Sequence, residues 1–215
     1  MKNIVICHDS GLSSIESQAV NMAAARLANM VPNRVLNYGS QAYVADSSAP
    51  YSSPDWYIRS ALRLGDQIYA GSLLQLLIDE PYQRASPHID LFVASHDLTD
   101  VHDGQWLNYC FGSAQVEWGV DVQSVYRFRS VRDTALRQGL IVWVILHEVG
   151  HLLGMAADQR RSNTEYKLGL HCTNRGCVMQ QSMSLTEAIN HVRDAGGEPR
   201  YCPQCLQDMQ NHGAY

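Results

Sequence analysis

Hydrophobic and polar positions change their spacing several times along the chain, and each change suggests an element. Asn3 to Cys7 alternates too little for a surface strand and is expected to be a short buried one. Ser13 to Met30 then carries Ala, Leu and Met at the spacing of an amphipathic helix. Arg34 to Val44, with Val35, Tyr38 and Tyr43, suggests a strand, and Ser47 to Pro54 a Ser/Pro-rich loop. One long helix is expected from Pro54 to Asp79, opened by Ser53 and Asp55 and stopped by Pro81. Ile89 to Ala94 is a second buried strand. Asn108 to Gln115 and Asp121 to Phe128 are two more, separated by a turn at Glu117-Trp118-Gly119. Ser130-x-x-Asp133 resembles a capping box for a helix through Leu140 to Leu146, so apolar all round that it belongs in the core. Gly154 should end it in a left-handed turn; the sequence beyond is polar, cysteine-rich and poor in strand signals. The alternation of strands and helices predicts an α/β (α+β) chain with a twisted mixed sheet and two long helices. A boundary at Gly154 divides it into an N-terminal lobe (1–154) and a small C-terminal lobe (155–215).

That core helix ends in His147-Glu148-Val149-Gly150-His151. Residues four apart lie one turn above each other, so both imidazoles leave one face, while Glu148, about 100° round the helix, reaches the same space. The pattern suits a catalytic zinc, which needs a third protein ligand from elsewhere in the chain and an open fourth position. His171, Asp158 and Glu165 are the nearby downstream donors. Cys172, Cys177, Cys202 and Cys205 form a C-x4-C and a C-x2-C pair, short spacings that present two thiolates each to one tetrahedral ion. A structural zinc fits this set better than two disulfides or a redox dithiol, and iron is the other ion that such thiolates accept. Cys7 and Cys110 are expected in the core.

Composition narrows the partners. The chain has 215 residues, 46% of them hydrophobic, which allows a substantial core in one domain or in a domain with a small lobe. A formal charge of −5 without a Lys/Arg block gives no footprint for nucleic acid or an anionic membrane. The apolar run Leu140–Leu146 falls far short of the roughly 18 residues that span a bilayer. No signal peptide is legible after Met1, so a cytoplasmic location is expected, where thiols and metal ligands outnumber disulfides.

His171-Cys172, Cys177, Cys177-Val178-Met179 and the distal Cys202-Pro203-Gln204-Cys205, taken with His147, Glu148, His151 and Gly154, resemble the archaemetzincins. The resemblance covers about 60 residues. It implies a metzincin-like zinc metallopeptidase with two zinc ions per chain. Its catalytic ion would be held by His147, His151 and His171, Glu148 would be the general base, and Met179, with Met183 as the fallback, would form the methionine turn beneath the metal. A peptide or protein would be the substrate. A non-peptide amide hydrolase or a non-catalytic zinc module would share the same ligands. In the metzincins the third ligand normally follows the glycine by three residues, a position held here by Ala157. The family has two residues between glycine and histidine, whereas this chain has Met155 to Leu170. With Asp158, Arg160, Arg161, Glu165 and Lys167, that insertion is expected to be too polar to bury and to project at the rim of the cleft.

Overall fold

The computed structural model describes residues 2–31, 34–41, 53–102, 104–156 and 160–212. In chain order the elements are β1 (Ile4–His8), α1 (Ser14–Met30), β2 (Val35–Gly39), α2 (Pro54–Ser60), β3 (Arg63–Leu64), β4 (Gln67–Tyr69), α3 (Ala70–Asp79), α4 (Pro81–Ala85), β5 (Ile89–Ala94), β6 (Leu98–Thr99), β7 (Val101–His102) and β8 (Gln105–Trp106). There follow β9 (Gly112–Gln115), β10 (Val120–Ser124), a 3₁₀ turn (Tyr126–Ser130), α5 (Thr134–Leu152), β11 (Thr164–Tyr166), β12 (Leu170–Cys172), α6 (Leu185–Asp194) and α7 (Pro203–His212).

The main sheet has the order β2-β1-β5-β10-β9, parallel except for the antiparallel edge strand β9. It is buried on both faces, which is why β1 and β5 are mostly apolar rather than alternating, with the buried Asp90 the exception in β5. The period of two still sorts their side chains. Ile4, Ile6, Leu91 and Val93 pack on α1 and α5, whereas Val5, Cys7, Phe92 and Ala94 pack with Val120 and Val122 on α2 and α3. On the α5 side of β10, Asp121 and Gln123 are fully buried and hydrogen-bonded to each other.

α1 and α5 are the two long helices. Ser13 caps α1 through a complete capping box with Glu16, whose carboxylate also receives two hydrogen bonds from Arg129. α5 is buried from Gly139 to Gly150, as its all-round apolar sequence requires. Its cap is Asp133, which accepts from the Leu136 N–H at 3.1 Å; Ser130 instead donates its hydroxyl to the Arg127 carbonyl within the preceding turn. At the far end Gly154 has φ +74°, Met155 N–H bonds Gly150 O and Gly154 N–H bonds His151 O, the paired bonds of a Schellman motif. The apolar cluster around α5 continues across Gly154 into Cys172, Val178, Met179, Val192 and Met209.

Four expectations differ from the fold. The helix expected over Pro54–Asp79 breaks at Ala61, and a small hairpin turns at Gly65 (φ +62°) and Asp66 before α3 begins. Leu62 and Leu64 are exposed there, so the hairpin leaves both in solvent. The strand from Arg34 ends at Gly39, after which Gln41 N–H turns back to Tyr38 O; residues 42–44 and most of the Ser/Pro-rich stretch lie outside the described residues. The strand after Asp121 ends at Ser124, whose hydroxyl accepts from the Tyr126 N–H and starts the 3₁₀ turn. The strand before the Glu117 turn begins at Gly112 rather than Asn108, with Cys110 joined to Leu98 by one bridge.

Candidate metal centre and hydrolytic site

Helix α5 delivers His147 and His151 one turn apart, with their Nε2 atoms 3.3 Å from each other. The third imidazole, His171, stands on β12. Its ring centroid is 5.1 Å from that of His147 and 4.8 Å from that of His151, and the other two are 4.9 Å apart. One nitrogen from each ring falls within 4.8 Å of the other two. A tetrahedral zinc with bonds of about 2.05 Å has nitrogen–nitrogen edges of about 3.3 Å, so the His147–His151 separation fits such an ion. Backbone carbonyls fix the tautomers. His147 Nδ1 lies 2.9 Å from Val178 O and His171 Nδ1 lies 3.0 Å from Gly169 O; a carbonyl only accepts, so Nδ1 carries the proton and Nε2 keeps its lone pair.

Burial keeps the rings neutral, the state that binds metal. It pushes His151 down to about 3, helped by His171, and His171 down to about 4; His147 is also held well below the ordinary histidine value. Glu148 points off the adjacent face of α5. Burial raises its carboxyl to about 8 in the metal-free protein. The carboxylate packs against β9, where a Cβ on Gly112 would come within 2.5 Å of Glu148 Oε1. Only glycine leaves the carboxylate its place. A cavity of about 600 Å³ opens over the three histidines and Glu148, walled by Gly112–Ala114 of β9, Trp143, Tyr166 and Met183.

Met179 is fully buried beneath the helix, and its Sδ would lie 2.2 Å from a Cβ at Gly150. Gly150 of the His-Glu-Val-Gly-His segment is thus the notch that receives Met179. Met183 lies instead at the cavity lip, 38% exposed. Tyr201, from the C-terminal segment, donates its hydroxyl to Leu146 O at 2.6 Å and clamps the same stretch of α5.

The four cysteines, Cys172 to Cys205 in sequence, come together in one cluster. Cys172 Sγ is 3.8 Å from Cys202 Sγ, and Cys177 Sγ is 3.6 Å from Cys205 Sγ. A disulfide needs about 2.05 Å, whereas a tetrahedral ion with bonds of about 2.3 Å sets sulfur–sulfur edges near 3.8 Å. All four are free thiols. N–H donors surround them: Asn174 N–H points to Cys172, Asn174 Nδ2 to Cys202, and Cys202 N–H to Cys177. The donor set fits a thiolate-bound ion.

Other candidate donors fall elsewhere. Glu165 pairs with His171 across the β11–β12 hairpin but is exposed, and Asp158 lies outside the described residues. His96 and Asp97 serve the fold: Asp97 accepts both the Nε and Nη2 hydrogens of Arg127, and His96 Nδ1 meets Ser95 Oγ. A third metal-like group, Glu80, His88 and Asp90, is knitted into the opposite face of the sheet by Tyr57, whose hydroxyl donates to Glu80, and by Ser86 O, which accepts from His88. Cys7 is in the core, whereas Cys110 is half-buried and lines the cavity.

The insertion departs furthest from expectation. It was expected to be too polar to bury, yet it folds back as β11, pairs with the strand that carries His171 and Cys172, and buries Arg160. Leu168 (φ +56°) and Gly169 (φ +116°) make its turn, which lines the cavity. Its short polar arms carry no alternating signal, so periodicity missed them. Gly112, Gly150 and Arg160 were missed as well. The first two show no pattern except against a partner 36 or 29 residues away in sequence.

No protein-family model matches this chain. An archaemetzincin of Methanocaldococcus jannaschii is 28% identical over 120 residues, 51% of this chain and 52% of that protein. One from Archaeoglobus fulgidus is 29% identical over 105 residues, 48% of this chain and 51% of that protein. The chain spans about half the length of the curated relatives it matches. The crystal structure of the Methanopyrus kandleri archaemetzincin superposes with a TM-score of 0.66 at 21% identity, covering 98% of this chain and 94% of that one. A zinc-dependent peptidase from Methanocorpusculum labreanum superposes with a TM-score of 0.63 at 17% identity, covering 96% of this chain and all of that one. In sequence the chain is archaemetzincin-like, and its fold is that of the archaemetzincin structures. Among the described residues no helix is long and apolar enough to cross a membrane.

Proposed function

We propose that this archaemetzincin-like chain is a zinc-dependent metallopeptidase, with a catalytic zinc on His147, His151 and His171 and a structural zinc on Cys172, Cys177, Cys202 and Cys205. The observation that carries this reading is the convergence of three neutral imidazoles and one buried carboxyl on the wall of a single cavity. When bound at the histidines, zinc supplies a Lewis acid that polarises the scissile carbonyl and acidifies water.

The chain's own residues do the rest. Val178 O and Gly169 O hold two of the imidazoles in their binding tautomer. Glu148 accepts the proton of the attacking water and passes it to the leaving nitrogen, so that water and amide become acid and amine. β9 is the last strand of the sheet and lines the cavity, so its outer edge is available to pair with an extended peptide backbone.

The test is Glu148→Gln, assayed on a peptide library with mass-spectrometric detection. Turnover should fall about 10²–10⁴-fold with both zinc ions retained. Near-normal turnover in that variant refutes the general-base role. If the wild type cleaves a simple amide but no library peptide, the substrate class is wrong while the metal site stands.

A further inference from the structure

Arg160 is the residue of the insertion that the proposed chemistry leaves unused, and it is among the most enclosed cations of the chain, with a side chain 2% exposed. A buried guanidinium is costly unless all five of its N–H donors are satisfied and its charge is met. Here every nitrogen is engaged. Nε–H donates to Ser162 O at 3.0 Å. Nη1 reaches Asp208 Oδ2 at 3.0 Å and Cys205 Sγ at 3.1 Å. Nη2 reaches Gln204 Oε1 at 2.9 Å and Cys172 Sγ at 3.2 Å. The two sulfurs come from different halves of the cluster, Cys172 from β12 and Cys205 from α7, so one planar fork bridges both cysteine pairs.

Electrostatics gives the bridge a purpose. Four thiolates around a divalent ion carry a net charge of −2, and burying that charge is unfavourable without a nearby cation or N–H donors. Asp208 alone would need only one edge of the fork; the other edge is turned to Cys172 and Gln204. From Arg160 the chain runs directly into Asn163, whose carbonyl accepts from Thr173 N–H, and then into β11, which pairs with β12. The residue that touches the sulfurs is therefore tied to the strand that carries His171.

We propose that Arg160 is the charge-compensating and positioning residue of the four-cysteine metal site, supplied by the insertion, and that by fixing β12 it also sets the place of His171. This rests on reading the four cysteines as a metal site, and the experiment separates the two claims. The intact protein is loaded with cobalt(II), and its sulfur-to-cobalt absorption and its resistance to a competing chromophoric chelator are compared in wild type, Arg160→Gln and Arg160→Lys.

Removing a cation from the sulfurs raises their lone-pair energy, so the band of Arg160→Gln should move to longer wavelength. Its thiolate-site affinity should fall about 10–100-fold, the usual cost of losing an outer partner of a metal ligand. Arg160→Lys keeps the charge but cannot bridge both sulfurs, and should fall between the two. A residue that only fills space would leave the band in place and would not be rescued by lysine. A folded Arg160→Gln with wild-type band and affinity overturns the proposal, and should that variant not fold, a wild-type band and affinity in Arg160→Lys does the same. A wild type that shows no sulfur-to-cobalt band instead overturns the metal reading of the cysteines.

Discussion

The histidine cluster and the cysteine cluster share the strand β12, which contributes His171 to one and Cys172 to the other, yet their surroundings are opposite. Around the histidines one side is a cavity of about 600 Å³, whose wall also holds the buried carboxyl of Glu148. The four cysteines lie outside the lining of that cavity, and their sulfurs are met by N–H groups of Asn174, Cys202 and Arg160. An ion enclosed by four thiolates and their donors can only hold structure, whereas one on three imidazoles keeps a face for substrate. Adjacent residues on one strand thus belong to a closed site and an open one, and the difference lies in what the rest of the chain packs around them.

The largest effect should come from removing the histidine at this shared strand. His171→Ala is expected to lose the open-site zinc and all measurable turnover while the four-cysteine ion stays, as elemental analysis after gel filtration would show. Loss of both ions together would mean that β12 cannot hold one cluster without the other, and the contrast between them would collapse.

The second effect tests the carboxylate without touching it. Gly112→Ala places a methyl within 2.5 Å of Glu148 Oε1, and Glu148 must swing out of position. Turnover should fall on the order of 100-fold, as for loss of a positioned general base, with both metals retained. A variant with full activity would show that Glu148 works from another rotamer.

How the sequence foreshadowed these sites depends on the range of the interaction. The helix from Ser13 to Met30, the all-round apolar sequence of α5, and the four-residue spacing of His147 and His151 are local, and local spacing fixes their geometry. The convergence of His171 with them was legible through the histidine-cysteine pattern and the resemblance it carries. The break after Ala61, where β4 joins β6 at Leu98, and the burial of Arg160 depend on partners far along the chain. Arg160 in particular reads as a solvated cation until Cys172 and Cys205 are brought to it from 12 and 45 residues away. A polar segment of the right length gives no periodic signal when its arms are three residues each.

Acid should distinguish the open site by a smaller, graded effect on the metal-free protein. The unfolded histidines take protons at about pH 6.5. In the folded chain His171 waits until about 4 and His151 until about 3, chiefly because they are buried. The unfolded state therefore binds more protons as pH falls, and their contribution to stability, full above 6.5, is lost on the way down to those values. Glu148, raised to about 8, works in the other direction and costs stability as pH rises from its ordinary value toward 8. Thermal melts of the chelated protein should show an acid limb that flattens in His151→Ala; an identical limb in that variant would remove the histidines as its cause.

Gly150→Ala should have a smaller and purely structural effect. The added methyl would meet Met179 Sδ at 2.2 Å under the helix, and a fully buried methionine can yield only by moving its neighbours. Overpacking of this kind costs about 1–3 kcal/mol, read from urea unfolding of the metal-loaded protein. Pairing the change with Met179→Ala should recover part of that loss, since the cavity accepts the methyl, and a double variant no better than Gly150→Ala would place the conflict at Tyr201 instead.

The smallest expected effect is none, and it bears on the comparison because Glu165 is the acidic residue that faces the third histidine across the hairpin. It stands opposite His171 in the register of the hairpin, a position from which a carboxylate could reach a neighbouring cation. In the structure it is exposed, while the three imidazoles close on one another without it. Glu165→Ala should therefore leave zinc content, the affinity of the open site and turnover within experimental error of the wild type. A drop in open-site affinity with His171→Ala still loaded would move the third ligand across the hairpin and make the open site a two-histidine, one-carboxylate centre. The shared strand would then carry a ligand for the cysteine cluster alone, and the contrast between the two sites would have to be drawn from β11 rather than β12.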